Sequence, residues 1–228
     1  MRITRLLLAG VAAIAVSSAA SAADLIIEEP EDVFVAEPES DISPYLGIFG
    51  GVGFGDANHI TNDPGDEPGN DIDLAGPFVG VNAGVDFTLS EAFILGVVGD
   101  IAWSGINGSI IDPPFGISDE IEHRIDWFGS LRGRIGFDAG GFMPYLTGGL
   151  AVAQGTREGF DAPTGPVSAT HVGWTLGAGV AARVTENVSV DVLYRFSDYG
   201  AQDYDTGGTP PTVDLEVHTI QAGINFHF

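Results

Sequence analysis

The chain has 228 residues, a length that allows one domain or two small ones. It contains 33 glycines, no cysteine and no lysine, and its 32 acidic residues against eight arginines give a formal net charge of −24. The lack of cysteine excludes disulfides and thiolate metal sites. The charge argues against binding nucleic acid, whose phosphates need clustered Lys and Arg. No metal site and no cofactor is predicted.

The first 22 residues have the pattern of an export signal. Arg2 and Arg5 precede an apolar run over residues 6–16, and Ala20-Ser21-Ala22 follows as a small-x-small cleavage site. A membrane-anchoring helix would need about 20 apolar residues, so residues 1–22 are interpreted as a cleaved secretory signal peptide.

The next segment differs from the rest of the chain in composition. Residues 23–42 carry eight acidic side chains and two prolines, which cannot bury enough apolar surface to fold. They are interpreted as a disordered acidic tail in the periplasm. The predicted folded domain covers residues 43–228.

From residue 43 onward, apolar residues recur at every second position, which predicts β-strands with one apolar and one polar face. Tight turns at 89–91, 138–141 and 185–187 alternate with four long polar loops, the layout of an outer-membrane barrel. We therefore predict an all-β fold, an eight-stranded antiparallel transmembrane up-and-down barrel. Its predicted strands are 43–54, 76–88, 92–106, 122–137, 143–156, 170–184, 188–198 and 214–228.

Charged residues share the strand face opposite the aliphatic ones. In the stretch 122–137, for example, Ile125 and Trp127 are assigned to the lipid face. Pairing of adjacent strands favours the ion pairs Asp100–Arg132 and Asp191–Arg183. An eight-stranded barrel is narrow, so these charges predict a plugged lumen, with a narrow porin for small solutes or ions as the alternative. The predicted lumen charge network is Asp86, Asp100, Arg124, Asp126, Arg132, Arg134, Arg183, Asp191 and Arg195.

Aromatic residues mark the ends of the predicted strands. Trp103, Trp127 and Trp174 lie at matching distances from the tight turns and face outward, as membrane-interface anchors do. The chain ends on alternating apolar residues, which resemble the signal by which bacterial outer-membrane proteins are assembled. The residues of this C-terminal assembly signal are Ile224, Phe226 and Phe228.

Several runs resemble a known group. They are residues 125–137 (IDWFGSLRGRIGF), 144–149 (PYLTGG), 173–179 (GWTLGAG) and 194–200 (YRFSDYG). Together they are similar to the small outer-membrane β-barrel family of alphaproteobacteria. That family includes 25–31 kDa surface proteins, opacity-like porins and haemin-binding relatives. The resemblance covers residues 43–228 and implies an eight-stranded barrel in the outer membrane, without one shared activity.

The histidines give no basis for catalysis. Strict alternation directs His123 and His218 toward lipid and His171 inward, so they do not converge with a nucleophile, and no enzyme is predicted. Haemin capture by rim histidines such as His59 and His171 remains a second alternative.

The sequence thus predicts an exported, multi-pass protein of the outer membrane with a structural, envelope-integrity and surface-presentation role. Its expected partners are outer-membrane lipids, lipopolysaccharide and the barrel-assembly machinery. No nucleic acid partner is expected.

Overall fold

A computed structural model of the chain contains eight β-strands. It describes residues 42–60, 71–90, 92–112, 119–158, 165–205 and 212–228. The predicted signal peptide and nearly all of the acidic tail lie outside these ranges. The strands are β1 (Ile42–Ile60), β2 (Asp71–Thr88), β3 (Phe93–Asp112), β4 (Asp119–Phe137), β5 (Phe142–Glu158), β6 (Val167–Arg183), β7 (Val188–Asp203) and β8 (Thr212–His227).

The strands form one closed barrel. Each strand pairs antiparallel with its neighbours in sequence, and β8 closes the ring by pairing with β1, with Ile224 opposite Ile48. Closure gives β1 and β8 a partner on both sides, so neither is a free sheet edge. The predicted fold class and strand number are therefore confirmed. None of the described residues belongs to a helix long and apolar enough to cross a membrane.

The two ends of the barrel differ in their connections. Those after β2, β4 and β6 have four residues each, whereas those after β1, β3, β5 and β7 have six to ten. We call the first end the turn end and the second the loop end. The strands reach further toward the loop end than predicted, since β1 continues to Ile60 and β2 begins at Asp71. Outward side chains there include Asp56 and Asp73, so backbone pairing continues where the outer face is no longer apolar.

The outside of the barrel is apolar. Alternate residues of every strand point outward, and a soluble protein rarely exposes an apolar surface of this extent. The arrangement suits a barrel whose outer wall contacts hydrocarbon. Outward side chains that are more than half exposed include Leu46, Ile48, Val79, Leu131, Leu146, Leu150 and Leu176.

A β-bulge at Asp126 reverses the alternation within β4. Ile125 pairs with Gly155 but Trp127 pairs with Gln154, so β4 contains one residue more than β5 at this point. Ile125 is consequently only 2% exposed and packs inside the barrel, while Trp127 remains on the outer face. The prediction that Ile125 faces lipid is wrong, because strict alternation does not hold across a bulge.

The interior has two parts. Toward the turn end it is lined by polar and charged side chains, among them Asp86, Arg132 and Thr147. Toward the loop end it is mainly apolar, although His123, Arg157 and His171 are also buried there, so the expectation of a polar interior holds only in part for that half. Alternation tells which side a residue faces, but not whether the enclosed space is polar. We call the apolar part the apolar cap; it comprises Phe49, Ala57, Ile72, Leu74, Phe78, Ala102, Ile106, Ile125, Phe128, Ala151, Ala153, Tyr199, Tyr204, Val213, Leu215 and Val217.

His227 joins three strands at the turn end. Its Nδ1 lies 3.1 Å from Ser43 Oγ on β1, and its Nε2 lies 2.8 Å from Ser189 Oγ on β7. The side-chain amide of Asn187 also donates to the His227 carbonyl oxygen, at 3.1 Å. The last strand is thus held on both sides by side-chain contacts in addition to its backbone ladder.

The apolar outer face predicts how the barrel responds to a charge. Leu146→Arg should lower the free energy of unfolding in lipid vesicles by about 2–4 kcal/mol, because it places an ion in hydrocarbon midway between the turn end and the tryptophans. Glu158→Arg, on the same face of β5 but at its loop end, should cost no more than about 1 kcal/mol. Urea unfolding followed by tryptophan fluorescence measures both. Equal losses in the two variants would contradict a lipid-facing Leu146.

Candidate functional site

One carboxylate at the centre of the lumen binds two arginines. Asp100 on β3 accepts from Arg132 on β4 at 2.8 Å and from Arg195 on β7 at 3.0 Å. The Ser130 hydroxyl donates to the same carboxylate and accepts from Arg132 Nε at 2.8 Å. The three charged side chains are only 1–4% exposed. The cluster therefore connects strands on opposite sides of the barrel.

A second group lies nearer the turn end. The Arg134 guanidinium is 3.8 Å from Asp86, donates to the Tyr45 hydroxyl at 3.4 Å and lies 4.3 Å from the ring centroid of Tyr145. The Tyr145 hydroxyl donates to Asp191 at 3.0 Å. These contacts link β1, β2, β4, β5 and β7 across the lumen.

Two glycines make room for these tyrosine rings. A Cβ on Gly84 would lie 2.4 Å from the ring of Tyr45, and a Cβ on Gly179 would lie 2.5 Å from the ring of Tyr145. Any larger residue at either position would have to displace an aromatic ring that contacts Arg134. Glycine on the adjacent strand, β2 or β6, therefore leaves the space that each tyrosine ring occupies.

Asp191 has different partners from the predicted one. It accepts hydrogen bonds from Tyr145 and from the Asn225 side-chain amide, the latter at 2.8 Å. Arg183, the expected partner, is the last residue of β6 and its side chain is exposed. Its backbone pairs with Ser189, two positions from Asp191.

Arg124 and Asp126 do not join the lumen network. They pair with each other at 3.0 Å, with side chains 42% and 36% exposed, and Asp126 also accepts from Thr156 at 2.5 Å. Because Ile125 and His123 are buried inside the barrel, Arg124 between them lies on the outer face. The bulge at Asp126 is the physical reason for this difference from the prediction.

A cluster at the loop end was missed by strand alternation. His171 Nδ1 lies 3.0 Å from the carbonyl oxygen of Gly200, and its Nε2 lies 2.9 Å from the Tyr204 hydroxyl. Since a carbonyl oxygen only accepts, Nδ1 carries the proton and Nε2 accepts from Tyr204. The Tyr204 ring also packs edge-on against His123, at 5.9 Å between centroids.

Strand alternation does not place His123 and Tyr204 in this cluster, for two different reasons. The prediction that His123 faces lipid is wrong, because this residue lies beyond the β4 bulge and is buried. Tyr204 follows the end of β7, so no strand periodicity indicates its position. Burial raises the pKa of Tyr204 to about 12, so the hydroxyl remains protonated and able to donate. His171 faces inward, as alternation predicts; the side chain of His59 lies outside the described part.

The three tryptophans lie on the outer face. Trp103 is exposed and pairs in register with Trp127, whose indole nitrogen donates to Gln154 Oε1 at 2.7 Å. Trp174 packs against Phe196, with 5.4 Å between ring centroids. Rings with one apolar side and one hydrogen-bonding group suit the boundary between hydrocarbon and water.

Aromatic contacts continue from Trp174 around the barrel. Phe196 lies 5.0 Å from His218, which stacks on Phe54 at 5.4 Å. One step nearer the loop end, outward-facing acidic residues occupy directly paired positions on four neighbouring strands. Ionised groups are costly in hydrocarbon, so we expect the membrane boundary between the aromatic rings and this acidic row. The row comprises Asp198, Glu216, Asp56 and Asp73.

Two small cavities lie inside the described part of the barrel. One cavity of about 20 Å³ lies in the polar part, between Asn82, Arg132, Arg134, Gln221 and Asn225. A second, of about 10 Å³, lies beside His171 and Tyr204. In the part of the chain that the structure describes, no group of three or more His, Cys, Asp or Glu side chains could hold a metal ion.

Comparison with known proteins gives several relatives of similar length. The 25 kDa outer-membrane immunogenic protein of Brucella abortus is 35% identical over 216 residues, covering 93% of this chain and 92% of the relative. The 31 kDa outer-membrane immunogenic protein of Brucella melitensis is 31% identical over 237 residues, covering 97% and 98%. The 22 kDa outer membrane protein of Rhizobium leguminosarum is 34% identical over 135 residues, 59% of each chain.

Among solved structures, Neisserial surface protein A aligns with a TM-score of 0.46 and 14% sequence identity, covering 80% of this chain and 97% of that one. The sequence family described as outer membrane protein beta-barrel domain matches residues 6–228, nearly the whole chain. The resemblance inferred from the sequence motifs is thereby confirmed. This chain belongs to the outer membrane protein β-barrel family and is a protein of the bacterial outer membrane.

Proposed function

We propose that this protein is a structural component of the outer membrane, one that helps to maintain the envelope and presents acidic loops at the surface, with a lumen closed to solutes. The observation that carries the proposal is the cross-linked and packed interior. Asp100, Arg132 and Arg195 join opposite walls, and the apolar cap fills the remaining half.

Energetics favour a permanent plug over a gate. The arginines of the Asp100 cluster are almost fully buried, so separating them from the carboxylate would leave uncompensated charges in a narrow space, at about 3–5 kcal/mol. An eight-stranded barrel is only wide enough for its own side chains. The narrow-porin alternative would require these contacts and the apolar cap to open together.

Surface presentation is supported by the distribution of charge. The acidic row lies just beyond the aromatic rings, and each strand end there leads into one of the longer connections. Under the proposal the loop end faces outward and contacts lipopolysaccharide and the surroundings of the cell. At the turn end, Ile224, Phe226 and Phe228 have exposed side chains, available to membrane lipids and to the barrel-assembly machinery.

Haemin binding is less well supported. His123, His171 and Tyr204 are residue types that bind haem iron. They are nevertheless almost fully buried, and the cavity beside them measures only about 10 Å³. The contacts of Tyr204 with His171 and His123 help instead to fill the loop end of the lumen.

The proposal includes no catalysis. Ser189 contacts His227, as a nucleophile contacts a base, but the other ring nitrogen is bound by the Ser43 hydroxyl. A catalytic triad has a carboxylate there, to stabilise the protonated imidazole. Both contacts serve instead to join strands.

Planar-bilayer recordings test the plug. The refolded wild-type barrel should give no steady conductance above the bare bilayer, and Arg132→Ala should add little, because the apolar cap and Arg195 remain. A general porin refolded in the same way is the positive control. Reproducible single-channel steps from the wild type would overturn the plug and favour the narrow porin.

The Asp100 cluster predicts a large stability effect. Asp100→Asn should lower the free energy of unfolding by about 3 kcal/mol, because two buried guanidiniums lose their carboxylate. The matched control is Asp126→Asn, whose half-exposed pair with Arg124 should contribute less than about 1 kcal/mol. Urea unfolding in vesicles gives both values. Losses of similar size would show that the cluster does not cross-link the lumen.

A deletion strain tests the envelope role. Loss of the gene should increase detergent sensitivity, and re-expression of the wild-type protein should restore resistance. Leu146→Arg, destabilised in lipid, should restore it poorly, whereas Glu158→Arg should restore it as the wild type does. Unchanged detergent sensitivity after deletion would contradict a role in envelope integrity.

A further inference from the structure

Unpaired buried polar atoms are concentrated on one side of the apolar cap. Buried side-chain atoms are normally hydrogen-bonded to protein or to water, so each such atom indicates an additional partner. Those in the turn-end half and at the Asp100 cluster are Asn82 Oδ1, Asp86 Oδ1, Arg134 Nε, Gln221 Oε1, Asn225 Oδ1, Arg195 Nε and Arg195 Nη2.

Two of these atoms converge above Gly47. Asn82 and Asn225 flank Gly47 on the neighbouring strands, and their amide oxygens lie 2.7 and 2.1 Å from the position that a Cβ on Gly47 would occupy. The Asn225 amide is fixed in orientation because its nitrogen donates to Asp191 at 2.8 Å. Its oxygen must therefore face Gly47, where a hydrogen-bond donor is required.

The adjoining cavity has the size and chemistry for water. Its volume of about 20 Å³ exceeds the roughly 10–15 Å³ that one water molecule needs. Its lining includes the unpaired oxygens of Asn82, Gln221 and Asn225 and the unpaired Nε of Arg134. A water molecule donates to two acceptors and accepts from a guanidinium, so it satisfies both kinds of group. The lining holds two guanidiniums, Arg132 and Arg134, against the single carboxylate of Asp191, so its charge disfavours a cation.

An aromatic layer borders this polar region toward the loop end. The Arg195 guanidinium lies 5.3 Å from the ring centroid of Phe128, which packs against Phe78 at 5.1 Å, and Phe78 packs against Phe49 at 6.2 Å. The apolar cap continues beyond these rings. Space lined by apolar side chains remains dry.

We propose that water enters the lumen from the turn end and hydrates it as far as the Asp100 cluster, and that the layer of Phe49, Phe78 and Phe128 stops it there. The charge network then exchanges protons with the periplasm and not with the cell exterior. The inference rests on the proposed closed lumen and adds which layer is the barrier to water. The Asp100 cluster therefore lies on the hydrated side of that barrier.

Water-edited solid-state NMR on the wild-type protein in lipid bilayers tests this without substitution. Magnetisation from water should reach the side-chain amides of Asn82, Gln221 and Asn225 several-fold faster than the methyl groups of Leu215 and Val217. Slow transfer to the amides would overturn the proposal and favour a direct hydrogen bond from the Asn82 amide to Asn225. Equally fast transfer to the methyl groups would also overturn it, because the cap would then be wet.

A matched pair of variants tests the barrier itself. In Phe128→Ser, water should reach Val217 as fast as it reaches Gln221, whereas Phe128→Leu, still apolar, should keep Val217 dry. An unchanged profile in a folded Phe128→Ser barrel would overturn the role of the aromatic layer; if that variant does not fold, the wild-type measurement decides. Conductance measurements distinguish failure of the closed lumen from failure of the water barrier. A barrel that does not conduct but has dry amides refutes only the water barrier, whereas a conducting wild type refutes the closed lumen.

Discussion

Backbone hydrogen bonding is the constraint on which the rest of the structure depends. In hydrocarbon every peptide group must be paired within the protein, and a sheet meets that condition only by closing on itself. Pairing of β8 with β1 provides the closure. Once eight strands close, every second side chain points into a lumen that is only wide enough for side chains. These side chains must therefore pack against one another.

The interior is filled in two chemically different ways. Near the turn end and at mid-height, arginines and aspartates bind one another and the tyrosines across the lumen; beyond Phe128 the filling is apolar. Each part contains a small cavity, of about 20 Å³ among the polar side chains and about 10 Å³ beside His171 and Tyr204. The Arg195 guanidinium, bound to Asp100 and lying against Phe128, is where the two parts meet.

Strand number, connection lengths, family and the lipid-facing side of the barrel could be predicted from the sequence, because alternation and turn residues are local signals. Asp100 and Arg132 lie on adjacent strands, so their contact was accessible to the same reasoning. Arg195 reaches Asp100 across the lumen, a contact that no strand adjacency indicates. The bulge at Asp126 depends on how β4 pairs with β5, and Tyr204 lies beyond any strand, so neither could be derived from periodicity.

The same bulge affects how β4 can change in length. Loss of the codon for Asp126 would remove the extra residue and leave Ile125 in the apolar cap and Arg124 outside, because Ile125 would then directly precede Trp127 in strict alternation. A single-residue insertion or deletion within a regular paired stretch would instead exchange the two faces beyond it. Changes in length should therefore accumulate at the bulge and in the connections at the loop end, and the regular parts of the strands should diverge by substitution.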